Sequence, residues 1–239
     1  ELDPDLVQLG HEIELITVES SQASDKEIIE SLYVHRVPVA GFSQDIFNWI
    51  GNMNHSMGKY GAYLLSHTND FDLIHAHDWM VADTAISLSE NFHIPIVATI
   101  HATEFGRHNG IHNPSSEYIH SQEKSLVETA AQTIVCSEYM RQEVGQILGC
   151  SWDRISIIYN GIRPEKKQRP KDFDFWEFRR RFAADHEQIV YYVGRMTYEK
   201  GIFVLLNAAP KVLWELGGNV KFIFIGGGNT DQLKQQAWD

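Results

Sequence analysis

The sequence predicts an α/β protein built on parallel, doubly wound sheets. Three observations carry that prediction. Short runs rich in Val, Ile, Leu and Tyr alternate with longer stretches of helical period. Several runs are apolar nearly throughout, as strands covered on both faces should be. The runs also end abruptly in polar or glycine residues, at the strand ends where open α/β sheets bind ligands.

The elements follow in order. "EIELITV" (12–18) and "YVHRVPV" (33–39) read as strands. Ile46, Ile50, Met53, Met57, Tyr60 and Leu64 then recur at helical spacing and form one apolar stripe. "DLIHAHD" (72–78), "IPIVATIHA" (94–102) and "QTIVCS" (132–137) are the next strands. Met140, Val144, Ile147 and Leu148 make a second helical stripe, and "ISIIYNG" (155–161) another strand. The rhythm breaks at "GIRPEKKQRPKDFDFWEFRRRF" (161–182), with two prolines and eight of the 20 basic residues, Arg163 to Arg181. Its first half reads as a linker and its second as a short helix. Glu165, Asp172, Asp174 and Glu177 interleave with the basic residues, which favours a solvated face over a polyanion site. "IVYYVG" (189–194) resumes the rhythm. Ile202, Leu205, Leu206, Ala209, Val212, Leu213 and Leu216 form a third stripe, before "VKFIFIGGG" (220–228). The expected organisation is therefore a first domain at 1–160, a basic linker and helix at 161–187, and the start of a second domain at 188–239. Two strands and one helix bury little core, so the second domain is expected to be only partly present.

Composition excludes several classes. A net charge of -12 argues against whole-molecule attraction to nucleic acid or an anionic membrane. A hydrophobic fraction of 43% suits a soluble globular chain, and no apolar run is long enough to span a bilayer. Two cysteines, Cys136 and Cys150, suggest no disulfide framework, and a reducing cytoplasm is the natural setting.

The candidate site residues stand at strand ends. They are His77 and Asp78; His101 with Glu104 and Arg107; Ser137; Asn160 and Gly161; Gly194 and Arg195 with Lys200; and Gly226, Gly227 and Gly228. Arg195 and Lys200 bracket the expected start of a helix at about Tyr198. Helix amide groups, a guanidinium fork and a mobile ammonium together suit a diphosphate. A solvated turn with two incidental charges fits the same residues. His101 reads either as a core histidine or as a group facing substrate. His75 and His77 share one strand face, as in some metal-dependent hydrolases, but no second paired motif completes a metal site.

"GHEIELITV", "DLIHAHDWMVA", "IPIVATIHATEFGR", "IVCSEYMRQEV", "ISIIYNGI" and "VGRMTYEKGIFVLLNAAPKVL" occur in the order and spacing of the group 1 retaining glycosyltransferases of GT-B architecture. "HAHDW" and "TIHATEFGR" most resemble the bacterial glycogen and starch synthase-like branch. The resemblance implies two Rossmann-like domains, with a nucleotide sugar (ADP- or UDP-glucose) bound mainly by the second and a glucan or other sugar acceptor mainly by the first. It implies that Arg195 and Lys200 bind the donor diphosphate and that Gly194 and Gly226–Gly228 line the nucleotide. His101 would lie by the donor sugar, with Asp78 and Asn160 in the sugar pocket and Glu104 close by. No metal or other cofactor is implied. The family's first strand with its Gly-rich loop, and its E-x7-E glutamates, have no counterpart in these residues, so the chain is expected to be a catalytically incomplete fragment. A non-catalytic sugar- or nucleotide-binding module on the same fold is the alternative.

Overall fold

The computed structural model describes residues 2–21, 23–41, 45–68, 71–162, 164 and 168–238. Its contacts divide the chain into two units, Glu1–Ile162 and Arg163–Asp239.

Unit 1 opens with α1 (Leu2–Gln8) and β1 (Glu14–Val18), followed by β2 (Lys26–Ile29) and β3 (Leu32–Val37). β3 lies between the other two, parallel to β1 and antiparallel to β2. The hairpin partner β2 is absent from the sequence expectation, and it departs from an all-parallel arrangement. Its turn is Glu30-Ser31, with φ of 50° and 67°. Paired positive φ values suit a tight hairpin, but Asn-Gly or Asp-Gly is the usual signal and neither is present. Ile28 and Ile29 are exposed on this edge strand.

α2 (Ile46–His67) starts at Asp45, whose carboxylate accepts the Phe47 amide. Its buried face is Ile50, Met53, Asn54, Met57, Gly61 and Leu65. The expected stripe is therefore rotated: Ile46 is exposed, while Gly61 and Leu65 carry the far end inward. Leu88 explains Gly61, since a Cβ there would come within 2.6 Å of its side chain. Asn54 is buried yet satisfied. It donates to the Ile50 and Met80 carbonyls and accepts the Thr84 amide.

β4 (Ile74–His77), α3 (Ala82–Phe92), β5 (Ile96–Ile100), α4 (Glu104–His108), α5 (Pro114–Thr129), β6 (Gln132–Val135), α6 (Glu138–Ile147) and β7 (Ile155–Ile157) complete unit 1. The four strands pair in parallel in chain order. Ser137 caps α6 by accepting the Met140 amide, and Asn113 caps α5 ahead of Pro114. Ile96, Ala98, Ile100, Leu126, Val127, Val135, Val144 and Leu148 form the dry centre of the core. Cys150 is buried and Cys136 half-buried, both as free thiols. β1 and β4 belong to different sheets, and a cavity of about 510 Å³ lies against both, closed in by α2 and α3. Ile16, Val18, Met53, Leu65, Ala76 and Leu88 line it.

Unit 2 holds α7 (Phe175–Arg180), β8 (Gln188–Val193), α8 (Ile202–Glu215), β9 (Val220–Ile225) and α9 (Thr230–Trp238). β8 and β9 pair in parallel. Met196, Ile202, Phe203 and Leu233 form its small core. Tyr191, Val193 and Ile225 are exposed in this two-stranded pair. A two-stranded sheet has too few neighbours to cover them. The basic segment has local work to do. Arg179 donates to the Ala184 carbonyl, Arg180 grips Asp185 with two hydrogen bonds (2.9 and 2.8 Å), and Arg181 lies over Phe178. Arg163, Glu165, Lys166 and Lys167 lie outside the described residues. Among the described residues, no helix is long and apolar enough to cross a membrane.

Leu126 is wholly buried between α5 and the four-stranded sheet. Leu126→Ala is expected to cost unit 1 about 2–5 kcal/mol, read as a lower urea midpoint.

Candidate active site

In the β4–β5 register, His77 stands opposite Thr99. The residues just beyond both strands therefore fall side by side. The Asp78 N–H donates to the Thr99 carbonyl (2.9 Å), and its carboxylate accepts the His101 N–H (2.8 Å). Asp78 adopts φ 58° and ψ 177°. That region is nearly reserved for glycine, and holding another residue there costs about 1–3 kcal/mol. The strained residue thus ends β4 and at the same time fixes the backbone of His101.

The His101 ring is exposed. Its Nε2 lies 3.3 Å from His77 Nδ1, and the two rings meet edge to edge, 11° from parallel, with centroids 5.6 Å apart. His75 stacks on His77 at 4.3 Å, and its Nε2 is 2.8 Å from the Thr99 hydroxyl.

Beyond His101 the chain turns into α4. Thr103 caps it: the hydroxyl accepts the Gly106 amide (2.9 Å) and donates to Glu143 of α6. A Cβ at Gly106 would fall 2.5 Å from the same Glu143 carboxylate, so glycine lets α4 lie against it. Glu104 turns inward, only 5% exposed, and accepts the Ser116 hydroxyl (2.9 Å). Glu123 of α5 accepts the Glu104 amide (2.7 Å) through Oε1, while its buried Oε2 has no hydrogen-bond partner among the described residues. Burial pushes the Glu123 carboxyl up from 4.5 to about 7, against the opposing pull of the Glu104 amide and Arg107. Glu104, Glu123 and Glu143 are all buried, and all converge on the turn that follows His101.

Of the other expected site residues, Ser137, Asn160 and Gly161 belong to unit 1 and the rest to unit 2. Asn160 is exposed three residues past the end of β7, a shorter strand than the sequence suggests because Ile158 and Tyr159 are themselves exposed. In unit 2 the loops after β8 and β9 stay paired beyond the strands. Gly194 N–H donates to Ile225, Met196 N–H to Gly227, and Asn229 N–H to Met196. A Cβ at Gly226 would lie 1.9 Å from the Gly194 carbonyl oxygen, so only glycine fits there. Arg195 and Lys200 are exposed. Glu199 stands between them in sequence, 3.6 Å from the Arg195 guanidinium. The Thr197 hydroxyl, with smaller help from these cations, holds its carboxyl below the ordinary range. Lys200 ends a 3₁₀ turn (Tyr198–Lys200), and α8 begins only at Ile202, after Gly201 at φ 69°. The expected helix start at Tyr198 is thus a tighter turn, because the chain reverses at a left-handed glycine before the helix forms. Among the described residues, no three His, Cys, Asp or Glu side chains are placed to hold a metal ion.

Glu123, Glu143 and Ser116 are absent from the sequence expectations. Glu123 was visible in principle, since it sits three and four residues before the buried Leu126 and Val127 on one face of α5.

The model for Glycosyltransferase Family 4 matches residues 1–166, and the model for Glycosyl transferases group 1 matches 174–239. An uncharacterized glycosyltransferase of Methanocaldococcus jannaschii is 34% identical over 96% of this chain and 64% of its own length. A glycogen synthase of Mycobacterium tuberculosis is 32% identical over 97% of this chain and 58% of its own. The chain therefore spans about three-fifths of these relatives. The crystal structure of Anabaena HepE in complex with UDP-glucose superposes with a TM-score of 0.64 at 14% identity, over 94% of this chain and 65% of that one. This likeness is one of fold, the GT-B type.

Two predictions follow from the buried carboxylates and the Asp78 clasp. The folded-state pKa of Glu123 is raised, so its contribution to stability is complete below 4.5 and is lost as pH rises through about 7. Glu123→Gln keeps an acceptor for the Glu104 amide and removes the ionisation. Its urea midpoint is expected to gain on the parent between pH 5 and pH 8, with the gain levelling above about 7. Asp78→Asn is expected to keep the His101 amide protected from hydrogen exchange, whereas Asp78→Ala speeds that exchange about ten-fold, the loss of about one net hydrogen bond.

Proposed function

The chain belongs to glycosyltransferase family 4, and from that premise we propose that it forms part of a retaining enzyme. The enzyme moves a glucosyl group from ADP- or UDP-glucose to an α-glucan or another sugar acceptor. The observation that carries this reading is the cationic corner of unit 2. Arg195 and Lys200 are exposed there, beside glycine loops held together past the ends of β8 and β9. The glycogen synthase relative and the UDP-glucose complex of HepE support a nucleoside-diphosphate donor.

In the proposed reaction, the acceptor hydroxyl forms a bond to the anomeric carbon as the bond from that carbon to the β-phosphate oxygen breaks. The hydroxyl proton passes to the departing phosphate, and attack on the leaving-group face retains the configuration. Charge grows on the diphosphate during the step. Arg195 and Lys200 stabilise it, so the chemistry calls for no metal. Gly194 and Gly226–Gly228 bring the backbone close to the nucleotide. His101 meets the transferring sugar. Asp78 acts at one remove, through its hydrogen bond to the His101 amide, and Asn160 faces the sugar side. Glu104 is buried, and its part is to hold the turn after His101.

Calorimetric titration with UDP and ADP tests the donor site. Arg195→Ala and Lys200→Ala are each expected to weaken nucleotide binding about 10–100-fold, the loss of one charge-assisted hydrogen bond. Absence of binding by the parent protein, or unchanged affinity in both variants, overturns the assignment. An inverted anomeric product by proton NMR overturns the retaining step. Nucleotide binding by the full-length protein without transfer favours the non-catalytic module instead.

A further inference from the structure

We propose that His77 is a positioning residue for the reaction, fixing the His101 imidazole so that Nδ1 is the ring nitrogen that meets the sugar. The proposal deepens the function proposed above and rests on it. Its basis is the end of the β4–β5 pair. The His77 and His101 side chains leave adjacent parallel strands and meet ring to ring, nearly coplanar in orientation at 11°, with His77 Nδ1 3.3 Å from His101 Nε2. A hydrogen bond between two imidazoles takes one nitrogen from each ring, one donating and one accepting. Nε2 of His101 is therefore committed to His77, whichever ring carries the shared proton. The remaining nitrogen, Nδ1, is left for a ligand, and the bond made on one side of the ring sets what the other side offers.

His77 is itself held. Its ring lies between His101 and His75, and His75 is tied to the Thr99 hydroxyl at 2.8 Å on the neighbouring strand. Thr99 is buried and is the register partner of His77. The Asp78 carboxylate fixes the backbone of His101. Backbone and ring are thus set by consecutive residues at the end of β4. An exposed side chain loses rotamer freedom when held in one pose. A reacting group already held in that pose does not bear that cost in the transition state.

The contact comes from Nδ1, the nitrogen bonded directly to Cγ. Asn places a polar atom at that same point and Gln does not. His77→Asn should therefore restore what His77→Phe removes, while His77→Gln should not. The first readout is a long-range proton–nitrogen spectrum of the full-length protein labelled with 15N-histidine, with His101 identified by its loss in His101→Gln. His77→Phe is expected to move the His101 Nε2 resonance more than Nδ1, and His77→Asn to bring it back toward the parent. The second readout is transfer from the nucleotide sugar. His77→Phe is expected to lower kcat about 10–100-fold with donor KM changed less than about three-fold, and His77→Asn to recover most of the loss. An unchanged His101 Nε2 resonance in His77→Phe overturns the proposed contact, whatever the activity. A shifted resonance with unchanged kcat overturns His77 as a positioning residue and leaves the proposed function standing, whereas absence of transfer by the parent protein overturns the function on which the proposal rests. Equal losses in Phe, Asn and Gln variants overturn positioning through Nδ1.

Discussion

The parallel register of β4 against β5 is the constraint on which the candidate site depends. With His77 opposite Thr99, the first residue beyond β4 is level with the end of β5. Asp78 can then take the Thr99 carbonyl with its own amide and the His101 amide with its carboxylate. A slip of one residue would send both histidines of β4 to the other face of the sheet. The apolar sequence of β5 opposes such a slip. Ile96, Ala98 and Ile100 are essentially inaccessible, and the core built on them fixes which way every neighbouring side chain points. Packing energy from residues remote from the chemistry thereby sustains the unfavourable backbone of Asp78.

Much of this was legible in the sequence, and the reasons differ from element to element. The eight strands that the sequence predicts are all present, because a run such as "IPIVATI" has one plausible home. The hairpin partner of β3 was illegible, because Glu30-Ser31 lacks the dipeptides that advertise such a turn. The positions of His101, Asp78 and Arg195 at strand ends could be read off directly. Their contacts could not. Asp78 reads as a group for the sugar, and one oxygen of its carboxylate also accepts the His101 amide. Glu104 looked like part of a polar cleft, yet it is buried on the Ser116 hydroxyl. The sequence shows which residues reach the end of a strand, but a short side chain there serves the backbone or the ligand according to distances of an ångström.

Unit 2 uses backbone where unit 1 uses side chains. Past the ends of β8 and β9, the loops are joined by amide-to-carbonyl bonds through Gly194, Met196, Gly227 and Asn229. The approach at Gly226 is too close for any Cβ. Tyr192 adds a side-chain tie, its hydroxyl donating to the Arg195 carbonyl at 2.7 Å. Glu199 near this pair is consistent with an anion site. Its carboxyl is held below the ordinary range chiefly by the Thr197 hydroxyl, and an anion bound at Arg195 would have to displace it.

The buried glutamates around α4 are costly, and the cost indicates what they do. A hydrophobic side chain in place of Glu123 would avoid desolvating a carboxyl whose Oε2 lacks a hydrogen-bond partner among the described residues. It would also leave the Glu104 amide without an acceptor. α4 has five residues, too few for its own ladder to hold it in place. Its first turn is fixed from outside, by Glu123 on the Glu104 amide and by Glu143 through the Thr103 hydroxyl. Apolar contacts are non-directional and would allow the helix to slide or rotate. Hydrogen bonds to named atoms do not. The segment from His101 to Arg107 is therefore set by direction rather than by area.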